Sequence, residues 1–139
     1  MLSRFAKTFI FICLMTLSMH VQAEVRTYPV HNCNLINKMG GSKIFSGVEG
    51  LLKVHFEREN TKIEIELDEF NQHWESRWFK AKHIFEINNE LYGNHLIVKK
   101  LLGLNVSETE EYFQLTENSI LLGQKVSESY ERSFYCELQ

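Results

Sequence analysis

Leu51-Leu52-Lys53-Val54-His55-Phe56-Glu57-Arg58-Glu59-Asn60-Thr61-Lys62-Ile63-Glu64-Ile65-Glu66-Leu67-Asp68 is the stretch that decides the fold. Apolar residues fall at every second position, at Leu52, Val54 and Phe56 and again at Ile63, Ile65 and Leu67. Period two marks a strand with one buried face. Folded about Glu59-Asn60, the two runs set Phe56 opposite Ile63, Val54 opposite Ile65 and Leu52 opposite Leu67. On the other face Lys53 meets Glu66, His55 meets Glu64 and Glu57 meets Lys62. A slip of one residue would invert both faces, so the segment reads as an antiparallel hairpin.

The same period continues outward. Residues 112–116 fold onto 119–123 around Glu117-Asn118, with Phe113 facing Leu122 and Leu115 facing Ile120. Further strands are predicted at 25–30, 82–87, 95–101 and 129–138. In the last of these, Tyr130, Arg132, Phe134, Cys136 and Leu138 share a face. Asn88-Asn89, Gly93-Asn94, Gly103 and Gly123 read as punctuation between strands. About seven short strands with such breaks predict an all-β domain, a small antiparallel barrel or sandwich. Two regions depart from the pattern. Residues 37–50 hold Gly40, Gly41, Gly47 and Gly50, four of the chain's seven glycines, and read as a long loop. Over 70–82, Phe70, Trp74 and Trp78 recur at spacing four, which fits one face of a short helix or of a strand.

The N-terminus has the anatomy of an export signal. Arg4 and Lys7 precede an apolar run over 8–19, and Val21-Gln22-Ala23 offers small residues for cleavage. The run is short for a membrane span. Cys13 follows Phe11-Ile12 rather than small residues, which argues against a lipid anchor. The expectation is a signal peptide over 1–23 and one exported domain over 24–139, periplasmic or secreted. Loss of Arg4 and Lys7 leaves 13 basic against 18 acidic residues, a formal charge of −5. That balance argues against nucleic acid and against an anionic membrane as the main partner, and no stable membrane anchor is expected. The mature chain keeps two cysteines, Cys33 and Cys136, and an exported pair is expected to be bonded, tying the first strand to the last.

Catalytic motifs are sparse. His31, His55, His73, His83 and His95 show no zinc-binding spacing, and His55 is accounted for as the outward partner of Glu64. No Gly-x-Ser-x-Gly elbow occurs, and Gly40-Gly41-Ser42-Lys43 lacks the spacing of a phosphate loop. Asn105-Val106-Ser107 is a glycosylation sequon, idle in a bacterial source. Glu64, Glu66 and Asp68 alternate as a solvated strand face does. Neither a cofactor nor a metal is expected, and the chain does not read as an enzyme.

The segment around both tryptophans is the candidate site: His73, Trp74, Arg77, Trp78 and Lys80. Tryptophan and arginine dominate protein interfaces because they bury much area and still offer polar groups. Core filling by the tryptophans is the competing reading, and the two are compatible with Trp74 and Trp78 inward and Arg77 and Lys80 outward. The functional expectation is a protein-binding module, an inhibitor or an immunity-like protective protein whose partner is another exported protein. Two rivals remain. A barrel carrier of a small apolar ligand would show a large apolar cavity. A hydrolase with a carboxylate or histidine site would show a cleft holding two ionisable groups in mutual reach.

Overall fold

Nine strands make up the structure, a computed structural model that describes residues 23–38, 41–68 and 72–139, with backbone alone at 41–47. Residues 1–22 of the expected signal peptide over 1–23, with Gly40 and Phe70, lie outside the described residues. The strands are β1 (Ala23–Asn37), β2 (Gly41–Glu57), β3 (Asn60–Leu67), β4 (His73–Glu75), β5 (Ile84–Ile87), β6 (Glu90–Leu101), β7 (Leu104–Leu115), β8 (Ser119–Ser127) and β9 (Tyr130–Leu138). They form one antiparallel sheet in the order β4-β3-β2-β1-β9-β8-β7-β6-β5. The all-β expectation holds, while the barrel and the sandwich are both corrected. The sheet is open, because β4 and β5 end it on either side with no ladder between them.

The open sheet is nevertheless rolled. Trp74 of β4 stacks on Phe134 of β9 with ring centroids 5.3 Å apart. Four inter-strand steps in a flat sheet would separate them by about 19 Å. Phe79, hydrogen-bonded to Thr61 of β3 just beyond β4, lies 4.8 Å from the ring of Phe113 on β7. The flat-sheet distance there is about 29 Å. The concave face therefore closes on one core, in which Leu52, Val54, Ile63, Phe79, Phe113 and Phe134 are buried. The first half of the chain supplies one side of the sheet and the second half the other, and they meet where β1 pairs with β9. Cys33 and Cys136 are bonded across that seam, with an S–S distance of 2.03 Å and Cα atoms 4.1 Å apart. The bond spans the register irregularity between His31 and Asn34, where the ladder lapses. It ties first strand to last as expected and fits an oxidising compartment.

The hairpin of β2 and β3 forms, but its register is displaced by two residues from the expected one. Val54 pairs with Ile63, Leu52 with Ile65 and Phe56 with Thr61, and the turn is Arg58-Glu59. Arg58 takes the left-handed conformation at φ 57°. A shift of two keeps every side chain on its face, so alternation cannot choose between the registers. Two of the three expected charge pairs survive as diagonal contacts, Lys53 Nζ lying 3.3 Å from Glu66 Oε2 and His55 Nε2 3.2 Å from Glu64 Oε1, while Lys62 pairs with Glu75 of β4 at 2.6 Å instead of with Glu57. In the β7–β8 hairpin, Phe113 pairs with Leu122 and Leu115 with Ile120, the register read from the sequence.

Three further expectations are corrected. Residues 37–50 are not a long loop, since β1 runs to Asn37 and β2 starts at Gly41. Gly93 and Gly123 are not turns. Each lies inside a strand, where a Cβ on Gly93 would collide with the Phe113 ring and one on Gly123 with the Tyr112 ring. Residues 70–82 hold no α-helix among those described, only β4 and one 3-10 turn at Ala81–His83.

Candidate functional site

A backbone irregularity builds the site. β4 pairs with β3 through His73↔Glu66, Trp74↔Ile65 and Glu75↔Glu64. Ser76 continues the pairing: its N–H donates to the Ile63 carbonyl, and its Oγ accepts the Ile63 N–H at 2.8 Å. Beyond it the ladder resumes at Phe79, which exchanges both backbone hydrogen bonds with Thr61. Between Glu75 and Phe79 three residues, Ser76, Arg77 and Trp78, thus oppose two, Lys62 and Ile63. This is a bulge, and one extra residue inverts the alternation beyond it. Trp74 therefore points into the concave face and Trp78 onto the convex one. The spacing-four stripe read from the sequence does not lie on one side.

The five candidate residues are accordingly divided. Trp74 is half-buried between Phe134 and Arg132, whose guanidinium lies 4.6 Å from the ring centroid. Trp78 is 37 % exposed. Its ring meets His55 edge-on at 6.4 Å and carries Lys62 Nζ at 5.3 Å from its centroid. His73 reaches the same face, with Nε2 2.8 Å from Glu64 Oε2. Arg77 and Lys80 are exposed. Together with Lys82 they make no ion pair among the described residues.

Glu64 is the hub of the convex network, with His55 on one carboxylate oxygen and His73 on the other. Burial works to raise its pKa, but the hydrogen bonds from His73 and His55 and the Lys53 charge outweigh that and hold it below the ordinary glutamate value. Glu64, Glu66 and His73 place one donor atom each within 4.8 Å of one another, a ligand set suited to a divalent cation. Lys53 already supplies positive charge there, 3.3 Å from Glu66 and 3.9 Å from Glu64.

A second cluster fastens the bulge from within. The Glu111 carboxylate is 1 % exposed and lies on the concave face of β7. Its Oε1 accepts the Arg77 backbone N–H at 3.0 Å and lies 2.9 Å from His95 Nε2, while Oε2 accepts Gln124 Nε2 at 3.0 Å. Phe79 stacks on His95 at 4.0 Å. His83 meets the same ring edge-on at 6.1 Å, and burial, ahead of Lys82 and His95, lowers its pKa. His95 and Glu111 are two ionisable groups in mutual reach, but both side chains are buried and their polar atoms serve the fastening. This cluster escaped the sequence reading, although a signal was present. Glu111 shares its alternation phase with Phe113 and Leu115, so its carboxylate had to face the core.

The far end of the concave face opens into a cavity of about 670 Å³. Tyr28, Phe56, Leu91, Leu115 and Leu138 form its apolar lining, and Arg26, Glu86 and Glu117 stand at its margin. No protein-family model matches the chain, and neither the curated proteins nor the solved structures contain a match to it.

Proposed function

We propose that the chain is exported, cut after Ala23, and acts in the periplasm or outside the cell as a protein-binding module that docks another protein through the 73–80 bulge. The observation that carries this reading is Trp78. The bulge turns it away from the core and leaves it partly exposed, held between His55 and Lys62. An aromatic side chain already fixed in place loses little conformational freedom on binding, which suits it as an interface anchor. Arg77, Lys80 and Lys82 beside it favour a partner that presents carboxylates, despite the net acidity of the chain. Inhibition or protection of that partner is the role this arrangement suits.

Capture of partners from the native compartment by the tagged protein tests the reading. In an Arg77→Ala, Lys80→Ala variant the Arg77 backbone N–H remains available to Glu111, so melting should be unchanged while capture falls at least tenfold, a loss of about 1.4 kcal/mol or more. Equal capture by variant and wild type rejects the site. The cavity favours a second reading, a carrier of a small apolar ligand, since its volume lies in the range of small-molecule sites. Saturable one-to-one uptake of an apolar fluorophore, weakened by Leu115→Gln, would favour the carrier over the docking module.

A further inference from the structure

The β6–β7 hairpin outruns the sheet that carries it. β5 pairs with β6 only as far as Gly93, and β8 pairs with β7 only as far as Glu110. From there β6 and β7 continue as a two-stranded arm to the turn Leu102-Gly103, with Leu101 paired to Leu104. The end of the arm is apolar and uncovered among the described residues. Leu101 is 65 % exposed, Leu102 95 %, Leu104 73 % and Val106 62 %.

The turn itself is unusual for a solvent-facing tip. Leu102 is in the left-handed conformation at φ 53°, followed by Gly103 at φ 80°. The β5–β6 turn has the same form, with φ 53° and 65°, and there both positions are asparagine, the residue such turns favour. At the arm's tip a leucine occupies a backbone conformation that disfavours it and a solvent position that does not reward it. Both costs are offset if the side chain enters an apolar medium.

Composition is layered along the arm. The outermost rows are Leu101, Leu102 and Leu104, and Val106 is the bulged residue between the next two rows. Lys99 and Lys100 follow, paired with Ser107 and Asn105. Farther in stand Glu108 and Glu110, opposite Val98 and Leu96. Apolar cap, cationic collar and acidic base match the order of acyl chains, anionic headgroups and water at a bilayer surface. Two rows of strand reach about 7 Å, the depth of the headgroup–acyl boundary. The free strand edges of the arm limit it to that depth, since unpaired backbone groups are not tolerated in hydrocarbon. We propose that the β6–β7 tip inserts reversibly into the interface of an anionic phospholipid membrane, with Leu101, Leu102 and Leu104 as the wedge and Lys99 and Lys100 on the phosphates. This surface is separate from the docking bulge and does not depend on it.

Vesicle flotation of the disulfide-bonded protein tests the proposal. One set of vesicles is pure phosphatidylcholine, and in the other about a third of the lipid is phosphatidylglycerol, which supplies the negative surface charge. The protein should float with the anionic vesicles and less with the neutral ones. Leu102→Asn should weaken flotation about tenfold while keeping or raising the melting temperature, because asparagine suits the turn. Lys99→Glu, Lys100→Glu should abolish the preference for anionic lipid. Equal flotation of wild type and Leu102→Asn, or no flotation of either, overturns the proposal. So does a concentration-dependent dimer in sedimentation equilibrium that Leu102→Asn dissociates, which would assign the tip to a second copy of the chain.

Discussion

Glu111 is the residue on which the candidate site rests. Its two carboxylate oxygens serve three partners, the Arg77 N–H, His95 and Gln124, drawn from the connector and from the strands on either side of β7. A buried carboxylate is tolerated only when its lone pairs are occupied, and here the occupants hold the bulge that exposes Trp78. Truncation would strand three polar groups in the core. Glu111→Ala should therefore lower the free energy of unfolding by about 3–5 kcal/mol in urea titrations, and Glu111→Gln by less, because the amide still accepts hydrogen bonds. Equal midpoints for wild type and Glu111→Ala would show that the clamp contributes nothing.

At the scale of elements, the strands are set by pairing and the site by an interruption of pairing. Gly93 of β6 and Gly123 of β8 illustrate the first half. Each lies opposite an aromatic residue of β7, Phe113 and Tyr112 respectively, whose ring covers the glycine. The ring then packs flat along the neighbouring strand, which a side chain at the glycine would prevent. Phe113 is 2 % exposed and its ring lies edge-on against Phe79 at 4.8 Å. Gly93→Ala should cost about 1–3 kcal/mol of stability by overpacking, measurable as a lower melting temperature. A wild-type melting curve would mean that Phe113 can move. The bulge at Ser76–Trp78 illustrates the second half, since one added residue sends two tryptophans four positions apart to opposite faces.

The whole molecule is a rolled sheet held at two places. One is the β1–β9 seam between the chain's halves, stapled by the Cys33–Cys136 bond over a sequence separation of 103 residues. The other is the 76–83 connector, where Phe79 bonds to β3 and packs against β6 and β7. The chain-entropy model assigns a bond closing such a loop about 4.7 kcal/mol, and measured gains are often smaller. Reduction should lower the melting temperature clearly, and non-reducing peptide mapping should recover the two cysteines as one linked pair. Superimposable melting curves with and without reductant would make the seam's hydrogen bonds sufficient alone.

Alternation along the chain was enough to read the strand faces, both main hairpins and the outward contact of His55 with Glu64, and the cysteine count was enough to read the Cys33–Cys136 pairing. These follow from local rules, period two and the scarcity of cysteine, that need no knowledge of distant neighbours. The register of β2 on β3 was beyond those rules, because a shift of two residues leaves every face unchanged and only the turn conformation at Arg58 separates the alternatives. Gly93 and Gly123 look like turns until their cross-strand partners are known. Trp74 and Trp78 share a face at spacing four in a regular strand or helix, and only the pairing of Phe79 with Thr61 reveals the extra residue between them. Glu111, His95 and Arg77 are far apart in sequence, and no local pattern joins them. Whether the sheet closes or stays open is decided by the same long-range contacts, because strand count and alternation are alike in a barrel and in a rolled open sheet, while the edges differ only in what lies beside them.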